Sequence, residues 1–366
     1  MRQEINPLRV LGKALLLFIV INLLYGLVDP SLGGLSAYNI AFPGRVRFPF
    51  GSAEDPNVVM VDNLDVMTAS HVISLPKQPD EYRVVLIGDS SVWGEKSSVS
   101  DTISEQWNAL HLQCDGRKLK FYNLGYPHPS VVKDMIILDK AMEYQPDMIV
   151  WFVTLNTLIP KRLSPFIAAN RERAAKVLTT YNIPLAAGDE EILQPPSFYD
   201  RTLLGKRSDL ARALKLQVLG ILWTASGQDK KVSIKSRFLS QDVEADPLYR
   251  GIEPGKNLSN KMMFNALAAG HAMAQSVPML IVNEPIFIAT GQNSDIRYNE
   301  AYPRWAFDQY RNALALRAQQ SHWNYLDLWN AVPDNAFYDA GMHVTAEGER
   351  LLIGQIDPAL QKIACP

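Results

Sequence analysis

The sequence predicts an α/β protein with a doubly wound, mostly parallel sheet and helices on both faces. Short apolar runs at residues 84–87, 147–153 and 278–283 have the length and the β-branched composition of strands buried on both sides. Segments with helical spacing of apolar residues, such as 131–143 and 305–319, alternate with these runs. This alternation is typical of a parallel sheet whose crossover helices cover both of its faces.

The predicted elements of this sheet fall into two stretches of the chain. The first holds a strand at 84–87, a helix at 102–110, a strand at 119–122, a helix at 131–143 and a strand at 147–153. The second holds a helix at 262–275, a strand at 278–283, a helix at 305–319, a strand at 325–329 and a helix at 346–363. Each strand is followed or preceded by a helix, which is the order that parallel strands require.

The stretch between them, about residues 159–260, is predicted to be a helical insertion or a lid. It contains charged helical segments at 171–179 and 208–224 and several prolines. Residues 210–223 are strongly apolar but carry Arg212 and Lys215. A buried helix is the favoured interpretation of that segment, and a lid helix or a helix on a membrane surface are the alternatives.

Residues 1–30 are predicted to form a membrane anchor. The 18 residues from 11 to 28 are apolar except for Lys13 and Asn22, and they span roughly 27 Å as a helix. Basic residues precede this segment and Asp29 follows it, so we expect a cytoplasmic N-terminus and an extracytoplasmic remainder. No small-x-small cleavage motif follows closely, which favours an uncleaved anchor over a signal peptide. A buried core helix is a third alternative.

The rest of the chain is predicted to be an irregular lead-in segment, 31–80, and one main domain, 81–366, that contains the insertion. A net charge of -2 gives no electrostatic footprint for nucleic acid. Two cysteines, Cys114 and Cys365, exclude a disulfide scaffold and a cysteine-based zinc site, and the sequence leaves their pairing open. No spacing of ligands suggests a metal and no glycine-rich loop suggests a nucleotide, so we expect no cofactor.

Ser90 is the first candidate for chemistry, because it follows the buried strand 84–87 directly. Ligand sites of open α/β sheets lie at the carboxyl ends of the strands. If a helix begins there, its free N–H groups would lie beside Ser90 and could stabilise an oxyanion. The alternative is that Gly88-Asp89-Ser90 is only a turn whose side chains cap the helix.

Four further residues complete the parts that acyl transfer from an ester needs. Gly125 and Asn156 follow the next two predicted strands and can donate N–H groups to an oxyanion. His343 precedes the last helix and can take a proton from Ser90. Asp339 lies close to His343 and can hold its imidazole in the required tautomer.

These residues resemble the motifs of the SGNH (GDSL-type) hydrolase family, over about residues 82–158 and 277–363. The matching blocks are Gly88-Asp89-Ser90, Asn123-Leu124-Gly125, Leu155-Asn156 and His343-Val344-Thr345. The resemblance implies a three-layer, flavodoxin-like fold, Ser90 as the nucleophile, His343 as the base and an oxyanion hole of Ser90, Gly125 and Asn156. It also implies acetyl or short acyl esters as substrates, often on carbohydrate.

Two blocks depart from the family pattern. The third usually reads Gly-x-Asn-Asp, whereas this chain has Thr154-Leu155-Asn156-Thr157. The last usually places an Asp three residues before the His, whereas Asp339 lies four before His343. A one-residue bulge would restore the contact, and we expect Asp339 to be the acid. Otherwise a backbone carbonyl would orient His343.

Three residues near these motifs are candidates for the wall of a substrate pocket: Ser91, Trp93 and His128. Trp93 fits the core of the domain equally well.

Three hypotheses for function follow. The first is a membrane-anchored extracytoplasmic serine esterase that acts on acyl esters, such as those of a cell-envelope polysaccharide. The second is an O-acyltransferase that uses the same residues to modify a glycan beside a membrane acyl-transfer partner. The third is a non-catalytic assembly or binding subunit, and it predicts that Ser90 and His343 are out of each other's reach.

Overall fold

A computed structural model of the chain describes residues 6–42, 44–50, 61–160, 165–184, 194–226 and 239–365. Residues 51–60 of the predicted lead-in segment and residues 161–164, 185–193 and 227–238 of the predicted insertion lie outside the described residues. The strands are β1 (Glu81–Ile87), β2 (Gln113–Cys114), β3 (Arg117–Asn123), β4 (Met148–Val153), β5 (Met279–Asn283) and β6 (Asn324–Asp327).

The helices fall into four consecutive groups along the chain. Before β1 lie α1 (Pro7–Val28), α2 (Tyr38–Ala41) and α3 (Leu64–Ala69). Between β1 and β4 lie α4 (Ser90–Trp93), α5 (Ile103–Ala109) and α6 (Val131–Met142). Between β4 and β5 lie α7 (Leu155–Leu158), α8 (Pro165–Ala169), α9 (Arg171–Thr180), α10 (Phe198–Arg201), α11 (Arg207–Ser226) and α12 (Phe264–Ala274). After β5 lie α13 (Arg304–Gln320) and α14 (Ala346–Ala364).

The strands form one sheet in the order β2-β3-β1-β4-β5-β6. Neighbouring strands pair in parallel along the row β3, β1, β4, β5 and β6. Strand β2 is a short edge strand that pairs antiparallel with β3. The chain therefore leaves β1 toward β3 on one side and later returns to β4 on the other. This reversal is the topological switch point at which open α/β sheets bind ligands. The predicted fold class is confirmed.

Apolar side chains cover both faces of the sheet because successive residues of a strand point to opposite sides. Every residue of β1, β4 and β5 is buried. Val85 and Ile87 belong to one core cluster, whereas Val84 and Leu86 belong to the other. Helices α6, α12 and α13 contribute to the first cluster, and α5 and α14 contribute to the second. The sheet is thus the middle of three layers.

Helix α1 has 22 residues and is long and apolar enough to cross a membrane. Its side chains are almost all exposed, so it is not a core helix of the domain. Helix α11 is also not a fully buried helix, which corrects the favoured interpretation of residues 210–223. Its Ala213 and Leu216 are buried, but Leu214 and Val218 are exposed on the opposite face.

A disulfide joins Cys114 of β2 to Cys365, with Cα atoms 5.6 Å apart. It answers the question of pairing that the sequence leaves open. The bond fastens the chain just after α14 to the edge of the sheet, on the face that α14 covers.

Candidate active site

The candidate site lies at the switch point between β1 and β4. Ser90 begins the short helix α4, immediately after β1 and Asp89. Asp89 is buried, and its Oδ1 accepts the N–H of Ser91 at 3.1 Å. This cap fixes the start of α4, so the first helical N–H groups lie beside the Ser90 side chain.

His343 reaches Ser90 from the other end of the chain. Its Nε2 lies 2.9 Å from Ser90 Oγ, across 253 residues of sequence. The loop that carries it is closed by a bridge between Phe337 and Val344 and by a 2.7 Å hydrogen bond from Tyr338 N to His343 O. These two contacts fix the backbone before and after His343 and so fix the place from which its imidazole extends.

Asp339 contacts the other imidazole nitrogen. His343 Nδ1 lies 2.6 Å from Asp339 Oδ2, so Nδ1–H donates to the carboxylate and Nε2 is left to accept from Ser90. The other oxygen, Oδ1, accepts the backbone N–H of Gly341 at 3.1 Å and of His343 at 3.4 Å. The loop is thus wound around the carboxylate, which accommodates the extra residue between Asp339 and His343.

The charges of this pair stabilise one another. Burial acts to lower the pKa of His343, but Asp339 and the carboxylates of Glu95 and Asp89 outweigh it and raise the pKa above its usual 6.5. Burial acts to raise the pKa of Asp339, but His343 and Lys96 hold it well below its usual value. Asp339 is therefore ionised wherever His343 titrates.

Two charged residues after α4 belong to this site and were not predicted. Lys96 forms an ion pair with Asp339 Oδ2, and Glu95 Oε2 lies 3.6 Å from His343 Nε2. Lys96 has a φ of 67°, in the left-handed region that side chains rarely adopt. No sequence signal marks either residue, because a Glu-Lys pair in a polar loop is ordinarily solvated.

Asn156 lies in α7, directly after β4. Its Oδ1 accepts from Tyr249 Oη and from an Arg250 guanidinium nitrogen, each at 2.9 Å. A guanidinium can only donate, so the carbonyl oxygen of the amide must face Arg250. Within the described ranges, neither Asn156 Nδ2 nor Ser90 N–H has a hydrogen-bond partner in the protein. Tyr249 and Arg250 come from the predicted insertion, and no motif in the sequence indicates that they reach this site.

Gly125 has a different role from the one expected. Its N–H donates to Asn123 Oδ1 at 3.0 Å, so it is not an open oxyanion donor. The Asn123 side chain also donates to Val92 O at 2.5 Å and thereby ties the loop after β3 to α4. A Cβ on Gly125 would lie 2.5 Å from Trp93 N, so only glycine permits this close approach. The expectation of an unobstructed Gly125 donor is corrected accordingly.

The three residues predicted to line a substrate pocket contact Glu284 and the lead-in segment. Ser91 Oγ donates to the buried Glu284 at 2.6 Å, and burial together with Asp89 raises the pKa of Glu284 well above its usual value. Trp93 Nε1 donates to Phe48 O at 2.8 Å, so its ring packs on the lead-in segment. His128 is exposed and lies edge-on to Phe50. The hydrogen bonds of Ser91 and Trp93 thus serve to hold α4 in place.

The site contains no evident place for a metal ion. Within the part of the chain that the structure describes, no group of three His, Cys, Asp or Glu side chains is arranged to hold one. The chemistry available here is that of a serine hydroxyl, an imidazole and a carboxylate.

Comparisons with known proteins return solved structures of esterases. No family model and no curated protein matches the chain. A carbohydrate acetylesterase family member from Sinorhizobium meliloti is 13% identical, with 77% of this chain and 99% of that chain covered and a TM-score of 0.35. A member of the lipolytic protein G-D-S-L family from Veillonella parvula is 10% identical, with 75% and 96% covered and a TM-score of 0.37. The aryl esterase of M. smegmatis is 12% identical, with 77% and 99% covered and a TM-score of 0.35.

Proposed function

We propose that this protein is a serine esterase of the SGNH type that acts on acyl esters. The linkage of Ser90, His343 and Asp339, with contacts of 2.9 Å and 2.6 Å, carries the proposal. These contacts join a nucleophile, a base and a group that orients the base, at the switch point of the sheet. Nucleophilic catalysis on an ester needs these three groups in this order.

The proposed reaction begins with attack of Ser90 Oγ on the ester carbonyl carbon. His343 Nε2 takes the hydroxyl proton, and the ionised Asp339 stabilises the resulting imidazolium. Collapse of the tetrahedral intermediate breaks the bond to the alkoxy oxygen, which receives the proton from Nε2 and leaves as an alcohol. Water then gives a proton to Nε2 and attacks the acyl-serine; the bond from the acyl carbon to Ser90 Oγ breaks, Nε2 returns the proton to Oγ, and the acid is released.

The oxyanion of each intermediate would be stabilised by Ser90 N–H and Asn156 Nδ2. Both are donors without a partner among the described residues, and both lie directly after neighbouring parallel strands. Donors aimed at the developing charge usually make the largest single contribution to such catalysis. Gly125 acts instead by allowing the loop after β3 to approach α4.

We infer that the protein is anchored in a membrane by α1 and that the main domain is extracytoplasmic. Basic residues precede the helix and Asp29 follows it, which favours a cytoplasmic N-terminus. The Cys114–Cys365 disulfide supports the same orientation, because disulfides persist in oxidising compartments and are rare in the cytosol.

Acetyl or short acyl esters on an envelope carbohydrate are the proposed substrates, as the SGNH resemblance implies. The third hypothesis, a non-catalytic subunit, predicts that Ser90 and His343 lie apart, and the 2.9 Å between their side-chain atoms is against it. Transfer to a glycan would use the same residues, with an acceptor hydroxyl in the place of water.

The test is hydrolysis of p-nitrophenyl acetate by the full chain in detergent or nanodiscs. Ser90→Ala and His343→Ala should each lower kcat by about 10³–10⁶-fold, because the members of a triad act as a unit. Ser321→Ala and His322→Ala, adjacent exposed residues after α13, are matched controls that should retain full activity. The proposal is wrong if the wild-type chain is no faster than Ser90→Ala and a fluorophosphonate probe leaves Ser90 unlabelled. Labelling of Ser90 without hydrolysis would point to transfer.

A further inference from the structure

The end of α1 is packed against a segment of the insertion. Leu204 N donates to Asn22 Oδ1 at 3.1 Å, and Lys206 forms an ion pair with Asp29. Gly26 is buried beneath α10, and a Cβ at Gly26 would lie 3.1 Å from Phe198 Cζ. Residues 198–206 therefore lie along the last two turns of α1.

The length of α1 sets the depth of this segment in a bilayer. Its 22 residues span about 33 Å, which is close to the roughly 30 Å of a hydrocarbon core. A bilayer that ended at Asn22 would leave about 15 residues, or roughly 22 Å, which is too short. The last two turns of α1 must therefore lie in or at the edge of the hydrocarbon, and residues 198–206 lie at the same depth.

The composition of this segment suits a membrane interface. Phe198, Tyr199 and Leu204 are exposed to the outside of the protein. Tyrosine, here Tyr199, is enriched where hydrocarbon meets head groups because its ring is amphipathic. The turn after α10 also bonds within itself, since Gly205 N donates to Thr202 Oγ1 at 3.2 Å and Lys206 N donates to Thr202 O at 2.9 Å. Backbone groups near lipid need such internal partners.

Helix α11 begins directly after Lys206 and continues the apolar surface. Leu214, Val218 and Leu222 are 62%, 60% and 57% exposed, and their spacing of four residues puts them on one face. The opposite face is packed on the protein, where Leu216 is buried and Gln217 Oε1 accepts Ala37 N at 3.0 Å. The packed face of α11 is therefore a different face from the one that carries Leu214, Val218 and Leu222.

Charged residues border the exposed face of α11. Arg207 is exposed before the apolar stripe begins, and Lys215 is exposed at its side. An apolar stripe with basic neighbours is the pattern of helices that lie in the interface plane of a membrane. The stripe begins a few residues after Lys206, which pairs with Asp29 at the end of the anchor, and Leu222 lies about 22 Å along the helix from Arg207.

We propose that Phe198, Tyr199, Leu204, Leu214, Val218 and Leu222 form an interfacial surface that binds the phospholipid of the bilayer that α1 spans. The inference rests on the membrane anchor of the proposed function and adds a second site of lipid contact. The occupant is lipid because the surface continues the lipid-facing side of α1, where Leu27 and Val28 are also exposed. The surface would hold the esterase domain against the outer face of the membrane.

The test is depth-dependent quenching in the full chain, reconstituted in nanodiscs of phosphatidylcholine and phosphatidylglycerol. A bimane fluorophore is attached at Val218→Cys and quenched with lipids that carry a doxyl group near the head group. Cys114 and Cys365 are joined and do not compete for the label. We expect the label at position 218 to lose several-fold more fluorescence than a label at Leu316→Cys, a similarly exposed apolar position on α13.

A label at Phe18→Cys, in the middle of α1, reports the anchor itself when it is quenched with lipids that carry a doxyl group near the end of the acyl chain. If the label at position 18 is quenched while the label at 218 is quenched no more than the label at 316, the interfacial surface does not exist and another protein or a second copy covers α11. If the label at position 18 is not quenched, both the anchor and the surface are wrong. None of these readings requires ester hydrolysis, so esterase activity measured on the same samples tests the proposed chemistry separately.

Discussion

Lys96 forms an ion pair with Oδ2 of Asp339, the same oxygen that accepts the imidazole N–H of the proposed base. The Asp339 carboxylate therefore interacts at one oxygen with both the Lys96 ammonium and the His343 imidazole. Glu95, the residue before Lys96, lies on the other side of the imidazole, 3.6 Å from Nε2. Two adjacent residues of opposite charge thus act on the two nitrogens of His343.

This arrangement predicts opposite shifts of the pH profile for the two residues. His343 must be neutral to act as a base, and its pKa lies above its usual 6.5, so kcat/KM should fall as the pH drops through a value above 6.5. Lys96→Met removes a cation that disfavours imidazolium, so the midpoint should move to higher pH. Glu95→Gln removes an anion that favours imidazolium, so the midpoint should move to lower pH.

The profile of kcat/KM against pH with p-nitrophenyl acetate measures both shifts. Lys118→Met, an exposed lysine on β3 that pairs with Asp80, should leave the midpoint unchanged. Shifts of the same sign in Lys96→Met and Glu95→Gln would rule out this account of the site.

Asp339→Asn should lower kcat strongly while the chain stays folded. An amide at this position can hold the imidazole in the wrong tautomer, and in a serine protease the equivalent change costs about 10⁴-fold. Circular dichroism and gel filtration check folding, and single-turnover kinetics measures the chemical step. A loss of less than tenfold would mean that a backbone group orients His343 and that Ser90 and His343 act as a dyad.

Tyr249 and Arg250 should act as positioning residues for Asn156. Asn156→Ala should lower kcat by about 10²–10³-fold, as removal of an oxyanion donor does. Tyr249→Phe and Arg250→Ala should each lower kcat by less than that and leave KM nearly unchanged, because the amide loses its orientation only in part. Neither change should have an effect once Asn156 is alanine. A further loss in those double variants would show that Tyr249 and Arg250 act independently of Asn156.

The disulfide should contribute substantially to stability. Cys114 and Cys365 are 251 residues apart, and crosslinks that close long loops constrain the unfolded chain most. Cys365→Ser should lower the free energy of unfolding by about 2–5 kcal/mol. Thermal unfolding with and without reductant measures the effect, and reductant should lower the Tm of the wild type but not of the variant. Equal sensitivity of the two chains would contradict the prediction.

Much of the sheet could be predicted because strands buried on both faces are continuous apolar runs. For this reason the predicted strand 84–87 lies inside β1, and the predicted strand 147–153 begins one residue before β4 and ends with it. Strand β2 has two residues and carries no pattern that a sequence could show. The half-exposed packing of α11 differs from the favoured interpretation of a buried helix, because leucine and valine lie on both its exposed and its buried sides.

The candidate site was predictable where a residue stands at the end of a regular element or, like Asp339, close to a residue of a recognisable motif. Ser90 and Asn156 follow strands, and their position is fixed by the parallel order of β1 and β4. Lys96 and Tyr249 reach the site through loops, whose course depends on long-range packing that no local pattern encodes. Gly125 lies where the motif places it, but a neighbouring side chain, that of Asn123, takes its N–H.

Two long-range links of the domain join residues that are more than 250 positions apart in the chain. Ser90 contacts His343, and Cys114 is bonded to Cys365. Domains fold as units while the chain emerges N-terminal end first, so a growing chain has its serine in place long before its base arrives. On the proposed function, the chain would therefore be inactive until the loop that carries His343 reaches Ser90. The Cys114–Cys365 disulfide would then make the docking of this later part of the chain difficult to reverse.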